Sequence, residues 1–280
     1  MEQQNAIVLL RNRSVSYKGV SKKLADVILG DLDAFISMTI KELSQTAGVA
    51  QSSIVRFYQS LGFPQYADFK INIAKNLKQQ DISQKRNVRK KDAVQSVVDN
   101  TAQISIQAIL DSVHALDVRK LSQAVNWLAR ARRIDFYGMG TSSMLVHDCY
   151  YRIMRIGYPC FFATDPHIMR TSASSLDKYS IAFAISYTGR SKDTLRAIEI
   201  AKDKGAKTIC LTGFDSSPLY QIADCPILCI SNEVKAFGES YANTVAQKVI
   251  LDSIYNCLAM KKAIPQKYEE LQALLEETRI

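Results

Sequence analysis

Between residues 133 and 230 the chain alternates short apolar runs, RIDFYG, YPCFFA, SIAFAIS, KTICLTG and CPILCI, with longer segments of helical periodicity. Each run is too short to be a helix and too continuously apolar to be a strand with one wet face. Strands buried on both faces and joined through helices build a parallel sheet, with right-handed crossovers and a doubly wound order as the default topology. The fold class is therefore α/β, with five parallel strands. Ahead of the sheet, Val94, Val97, Val98 and Ile104 with Ile109, then Val118, Leu121, Val125 and Leu128, give a helical pattern that leads into this domain. An amphipathic helix from about Ser240 to Met260 closes it.

The first 80 residues contain no strand pattern and predict an all-helical bundle. At 280 residues and 47% hydrophobic composition, both parts can bury a core of their own. From Asp81 to Asp92 the run DISQKRNVRKKD carries five positive charges and almost no apolar residue, as expected of an exposed connection or a solvated helix face. The expected division is a helical domain over 1–80, a linker and connecting helix over 81–106, and the sheet domain over 107–280.

Residues 1–92 hold 15 Lys/Arg against 8 Asp/Glu, a net +7, whereas the remaining 188 hold 21 against 19, a net +2. A local positive field suits a phosphate backbone, although membrane surfaces and acidic proteins attract it too. The N-terminus MEQQNAIVLLRNRS fits neither a secretory signal nor a transit peptide, and no stretch approaches the roughly 20 apolar residues of a membrane span. Cys149, Cys160, Cys210, Cys225, Cys229 and Cys257 lack the paired spacing of a zinc module, and the histidines are only His114, His147 and His167. The expectation is reduced core cysteines, no metal, no cofactor, no membrane association and a cytoplasmic setting.

Thr39 to Phe63, TIKELSQTAGVAQSSIVRFYQSLGF, is the most informative stretch of the helical part. Thr39 with Glu42 three residues on is a capping box that starts a short helix. Gly48 permits a left-handed turn, and Val49 can plug the angle between this helix and a second one from about Gln51 to Leu61. Ile54, Val55 and Tyr58 or Leu61 face inward there, which leaves Gln51, Ser52, Ser53 and Arg56 where a recognition helix meets bases and phosphates. Lys41 and Lys70 are counted with them as DNA-binding candidates. Such helix pairs also occur in purely structural bundles. The segment ISMTIKELSQTAGVAQSSIVRFYQSLGF, followed by YADFKINIAKNL and preceded by KKLADVILGDLDAFISM, resembles the N-terminal domain of the RpiR family of transcriptional regulators. Ala50 departs from the serine that the family usually places as the cap of the recognition helix, a loss on the order of 1 kcal/mol unless Gln51 or Ser52 substitutes.

In the sheet domain, Gly138-Met139-Gly140-Thr141-Ser142-Ser143 and Ser186-Tyr187-Thr188-Gly189-Arg190-Ser191 each follow a strand, at the carboxyl ends where open sheets bind ligands. Glycines, helix N-termini and hydroxyls together suit an anion, and helix capping is the plainer role for each hydroxyl. The third glycine of a dinucleotide fingerprint and a Walker lysine are both missing from these loops. The pair of loops resembles the sugar isomerase (SIS) domain, a flavodoxin-like sheet. By that resemblance Ser186, Thr188 and Ser191 would hold a phosphate, Thr141, Ser142 and Ser143 would lie near the sugar, and Tyr187 and Glu239 would join the ligand set. Arg190 stands where an acidic residue is often found.

The resemblance implies a transcriptional regulator, as a repressor, of carbohydrate metabolism genes. It would bind double-stranded operator DNA, respond to a phosphorylated sugar, and assemble as a homodimer or homotetramer. The competing expectation is a phosphosugar isomerase, for which Glu239 or His167 would be the general base. An isomerase, however, leaves the first 80 residues without a role, so no catalytic residue is expected.

Overall fold

The computed structural model describes residues 5–14, 17–85, 93–230 and 241–262. They divide into two compact units, one running to His114 and including Ile230, the other comprising Ala115–Cys229 and Tyr241–Lys262.

The first unit is helical: α1 (Ala6–Ser14), α2 (Gly19–Gly30), α3 (Leu32–Ser37), α4 (Ile40–Ala47), α5 (Gln51–Ser60), α6 (Tyr66–Lys85) and α7 (Ala93–Ala115). Each short helix begins or ends where its sequence demands it. The Asp31 carboxylate accepts from the Ala34 amide at the start of α3, and the Thr39–Glu42 capping box forms with both of its bonds in place. Helices α1 to α6 close around Leu24, Ile28, Phe35, Leu43, Ile54, Phe57, Phe69 and Ile73, all buried. Phe35, Tyr58, Phe63, Tyr66 and Phe69 pack ring against ring within this core, with centroids 5.3 to 6.4 Å apart. The helix at the end of this bundle continues to Lys85, past the start of the connection expected at Asp81. The helix expected after Asp92 forms as α7, but Val94, Val97 and Val98 are 67%, 65% and 55% exposed rather than packed.

In the second unit all five apolar runs become strands: β1 (Arg133–Tyr137), β2 (Cys160–Ala163), β3 (Ser180–Ile185), β4 (Lys207–Thr212) and β5 (Cys225–Leu228). They form one parallel sheet in the order β2-β1-β3-β4-β5. The helices are α8 (Val118–Arg130), α9 (Ser142–Arg155), α10 (Pro166–Ser174), α11 (Lys192–Asp203), α12 (Pro218–Ile222) and α13 (Tyr241–Lys262). Asp117, Asp165 and Ser217 cap α8, α10 and α12, and a proline at the first turn of α10 and α12 presets their entry. Every residue of β3 is buried, as befits the central strand. Phe136 on β1 lies in register with Phe183 on β3, their rings 5.6 Å apart.

One buried charge interrupts this apolar sheet. Asp135, in the middle of β1, is fully buried and takes two bonds from the Arg133 guanidinium, 2.7 Å from Nε and 2.9 Å from Nη2. The Tyr137 hydroxyl donates to it at 3.2 Å, and the Ser172 hydroxyl from α10 donates as well. With four donors the carboxylate is satisfied, which burial of a charge requires.

Candidate functional site

The helix pair α4–α5 is built from its turn outward. Gly48 ends α4 at φ 62°, ψ 43°, a left-handed geometry that a side chain resists. The Val49 amide returns to the Ser44 carbonyl at 3.1 Å and the Ser44 hydroxyl bonds the Val49 carbonyl at 2.5 Å, so the turn is tied at both ends. Val49 packs against the core, and Ile54, Tyr58 and Leu61 are buried with Val55 partly so. Phe57 also enters the core, its ring 5.5 Å from Tyr17. The outward face carries Gln51, Ser52 and Arg56 exposed, with Ser53 half-buried and Lys41 exposed on α4. Ala50 starts α5 without a side-chain cap, and neither Gln51 nor Ser52 supplies one. The amides of Gln51 and Ser52 are thus open to an external acceptor, whereas the Ser53 amide is taken by the Ala50 carbonyl at 2.9 Å. Lys70 is engaged inside its own unit, its ammonium donating to the Met38 carbonyl at 2.8 Å beside the Tyr66 ring. Burial pushes the Tyr66 phenol up to about 12, helped by the negative charge of Glu42.

In the sheet unit, β1 and β3 are neighbours, yet β1 leads outward to β2 and β3 leads the other way to β4. The loops after them flank the switch point of the sheet, the crevice in which open α/β sheets take their ligands. Residues 138–141 follow β1, and 186–191 follow β3. The two loops meet where the Ser191 hydroxyl lies 3.9 Å from the Met139 sulfur. Ser186 is buried, Ser142, Ser143, Tyr187 and Ser191 are half-buried, and Thr141 and Thr188 are exposed.

Capping accounts for little of this hydroxyl chemistry. Thr141 and Ser191 occupy the N-cap positions of α9 and α11, yet neither side chain makes a cap bond. The Ser191 oxygen instead accepts from Thr194 at 3.0 Å. Ser143 bonds back to the Gly140 carbonyl at 2.7 Å, and Thr188 weakly accepts the Arg190 amide at 3.4 Å. Arg190 itself is exposed.

The second loop is held from behind by residues that the sequence did not single out. The Tyr187 carbonyl accepts from the Gly213 amide at 2.8 Å and from the Thr212 hydroxyl at 3.0 Å, and the Gly189 carbonyl accepts from the Leu219 amide at 3.2 Å. Gly189 sits at φ 60°, and a Cβ there would collide with Ser217 and with Thr212 Oγ1 at 2.8 Å. The available signal was the LTG that ends the fourth apolar run, a third hydroxyl-glycine pair at a strand's carboxyl end.

Of the two bases considered for an isomerase, only His167 is described. His167 is exposed on α10 and lines a separate cavity of about 370 Å³ with Arg133, Phe161 and Ser172. Glu239 lies outside the described residues. Among the described residues no group of three or more His, Cys, Asp and Glu side chains could hold a metal, and no helix is long and apolar enough to cross a membrane. The six cysteines are free; burial pushes the Cys210 thiol up to about 12 and the Cys225 thiol up to about 11, so both are neutral core residues.

Comparison with known proteins agrees with this division of labour. The model of the helix-turn-helix domain of the rpiR family matches residues 5–80, and that of the SIS domain matches residues 127–256. An HTH-type transcriptional regulator of Caldanaerobacter subterraneus subsp. tengcongensis is 31% identical over 274 residues, covering 98% of this chain and 95% of the relative. Among solved structures, the Vibrio vulnificus NanR protein complexed with ManNAc-6P superimposes with a TM-score of 0.63 at 23% identity, over 98% of this chain and 99% of that one. The sugar isomerase domain of an RpiR transcription factor from Sphaerobacter thermophilus gives 0.57 at 17% identity, over 64% and 97%. The protein is a two-part DNA-binding regulator with a helix-turn-helix and a sugar-isomerase-type sheet. It belongs to the RpiR family of HTH-type transcriptional regulators, and is by that membership a regulator rather than an enzyme.

Proposed function

We propose that this regulator controls carbohydrate metabolism genes, as a repressor, in response to a phosphorylated sugar held between the loops after β1 and β3. The observation that carries this reading is the pairing of two hydroxyl-rich loops at the switch point, with Thr141 and Ser191 left uncommitted to capping. In it, Ser186, Thr188 and Ser191 with the first amides of α11 bind the phosphate, while Thr141, Ser142, Ser143 and Tyr187 border the sugar. Glu239 joins them by family resemblance alone. The ligand bound by NanR, ManNAc-6P, is of this chemical class.

On the DNA side, Gln51, Ser52, Ser53 and Arg56 read the major groove of double-stranded operator DNA and Lys41 contacts its backbone. Lys70 contributes through its field, since its ammonium is already bonded. Residues 1–80 form the reading domain, 81–106 the connection and 107–280 the sensor. The working form is a cytoplasmic homodimer or homotetramer. Exposed apolar side chains such as Val94 and Val97 on α7 and Met144 and Met154 on α9 support an assembly that covers them. A sugar phosphate then changes DNA affinity by favouring one arrangement of the assembly over another.

Two measurements test this function. Arg56→Ala and Ser53→Ala weaken operator retention in a gel shift with unchanged circular dichroism; full retention refutes the reading helix. Ser186→Ala and Thr188→Ala abolish the thermal stabilisation given by a sugar phosphate from a broad panel yet spare DNA binding. A wild-type melting temperature indifferent to the whole panel refutes the pocket.

A further inference from the structure

A wide concavity of the sheet unit lies away from the loops after β1 and β3. It lies at the opposite end, where α8 passes the amino-terminal ends of β3 and β4, and encloses about 860 Å³. That is within the range of small-molecule sites. Its wall carries five cations, Arg119, Lys120, Arg130, Lys178 and Lys207, and no carboxylate. The whole segment from 93 to 280 has a net charge near +2, so this concentration is local. Lys120 is bonded to the Tyr220 hydroxyl at 2.9 Å, and Arg119 lies 3.7 Å from Asp117, whose other bonds go to the amides of α8. Arg130, Lys178 and Lys207 take part in none of the ion pairs found among the described residues, although the exposed Asp177 carboxylate next along the chain feels the Lys178 charge.

Two aromatic rings share the wall. The Lys207 ammonium lies 4.7 Å from the Trp127 ring centre, and Lys178 lies 5.2 Å from that of Tyr179, which is 47% exposed. A lysine on a flexible stem can turn from a ring face toward a phosphate, which frees the Trp127 face for another planar group, while the Tyr179 ring also carries the Arg132 guanidinium 4.3 Å from its centre. Cations for several negative charges and rings for a flat heterocycle, in one ligand-sized concavity, select a molecule carrying both. Asn126 and Gln123 add donors and acceptors suited to the edge of such a ring.

We propose that this groove is a second effector site for a nucleoside polyphosphate, separate from the sugar-phosphate crevice. A sugar monophosphate uses few of these cations and neither ring. Duplex DNA offers its charge along an extended backbone with its bases stacked away, and an acidic peptide gives the rings no flat partner. The site depends on nothing at the other end of the sheet, so it stands or falls independently of the proposed sugar sensing.

Trp127 is the only tryptophan in the chain, so its fluorescence reports this groove without ambiguity. Titrating the full-length protein with ATP at physiological salt quenches it saturably. Inorganic tripolyphosphate and a Arg130→Ala/Lys178→Ala double variant each weaken the midpoint by about tenfold or more. Both substituted side chains are exposed, and circular dichroism confirms the fold. Ser186→Ala leaves the titration unchanged. An absence of saturable quenching overturns the proposal, as does equal potency of tripolyphosphate, which reduces the groove to a general polyanion patch. Quenching by a short random duplex or by polyglutamate but not by ATP overturns it in favour of a macromolecular docking surface.

Discussion

The helical bundle α1–α6 and the sheet unit bury different materials. Among the described residues, the core of the bundle is entirely apolar and aromatic, whereas the sheet unit buries Asp135, Ser172, Ser180, Ser186, Thr194, Thr208, Thr212, Ser217, Asn243 and Gln247. A bundle that presents one rigid helix to DNA needs shape, and apolar packing supplies shape. A sheet that offers hydroxyls and amides to an anion must hold its loops by directional bonds, and these have to be buried to stay fixed.

The sharpest test of that contrast is Asp135→Ala. It strips the partner from Arg133, Tyr137 and Ser172 beneath the strand that carries the first loop, and the expected loss is about 3–5 kcal/mol in a urea titration. A loss no larger than that of a surface change would make the network ornamental. In the bundle the matching change is Ile54→Ala, for which a loss of about 2–5 kcal/mol is expected from cavity formation alone. It should also abolish operator retention, because Ile54 seats the recognition helix. Retention at wild-type strength would mean that α5 does not need its core contact.

Smaller in stability but large in function is Gly189→Ala. A left-handed backbone costs an alanine about 1–2 kcal/mol, and its methyl meets Ser217 and Thr212, of which Thr212 pins the loop through the Tyr187 carbonyl. Sugar-phosphate stabilisation in a thermal shift should vanish while operator binding persists. If stabilisation survives, the loop after β3 is not the anion cradle.

The same contrast explains what could be read beforehand. Apolar periodicity reports apolar burial, so all five strands, the α4 capping box and the Gly48 turn were legible from local pattern. Asp135 was not, because RIDFY looks like any strand with a polar interruption until α10 brings Ser172 over it. Thr212 was hidden for the same reason: its partner is a carbonyl some 25 residues away in sequence, at Tyr187, and Ser217 stands behind it, 3.5 Å from the Thr212 hydroxyl. Exposure of Val94, Val97 and Val98 was equally invisible, since periodicity gives the apolar side of a helix without saying what covers it.

The smallest expected effect is also the most local. Ala50 opens α5 in extended geometry, φ −67° and ψ 145°, the conformation of a capping residue, but its methyl cannot accept a bond. Ala50→Ser adds a hydroxyl beside the open amides of Gln51 and Ser52, within reach of the latter, and should stabilise the bundle by about 1 kcal/mol without touching the sheet unit. Its effect on DNA binding separates two roles for those amides. If they bind a phosphate directly, the new hydroxyl competes with the DNA and operator affinity falls although the protein is more stable. If Arg56 and Gln51 carry the contact, affinity holds or rises with the firmer helix. Chemical denaturation and a gel shift on the same variant therefore decide whether the missing cap is a defect of the bundle or part of its DNA-reading face.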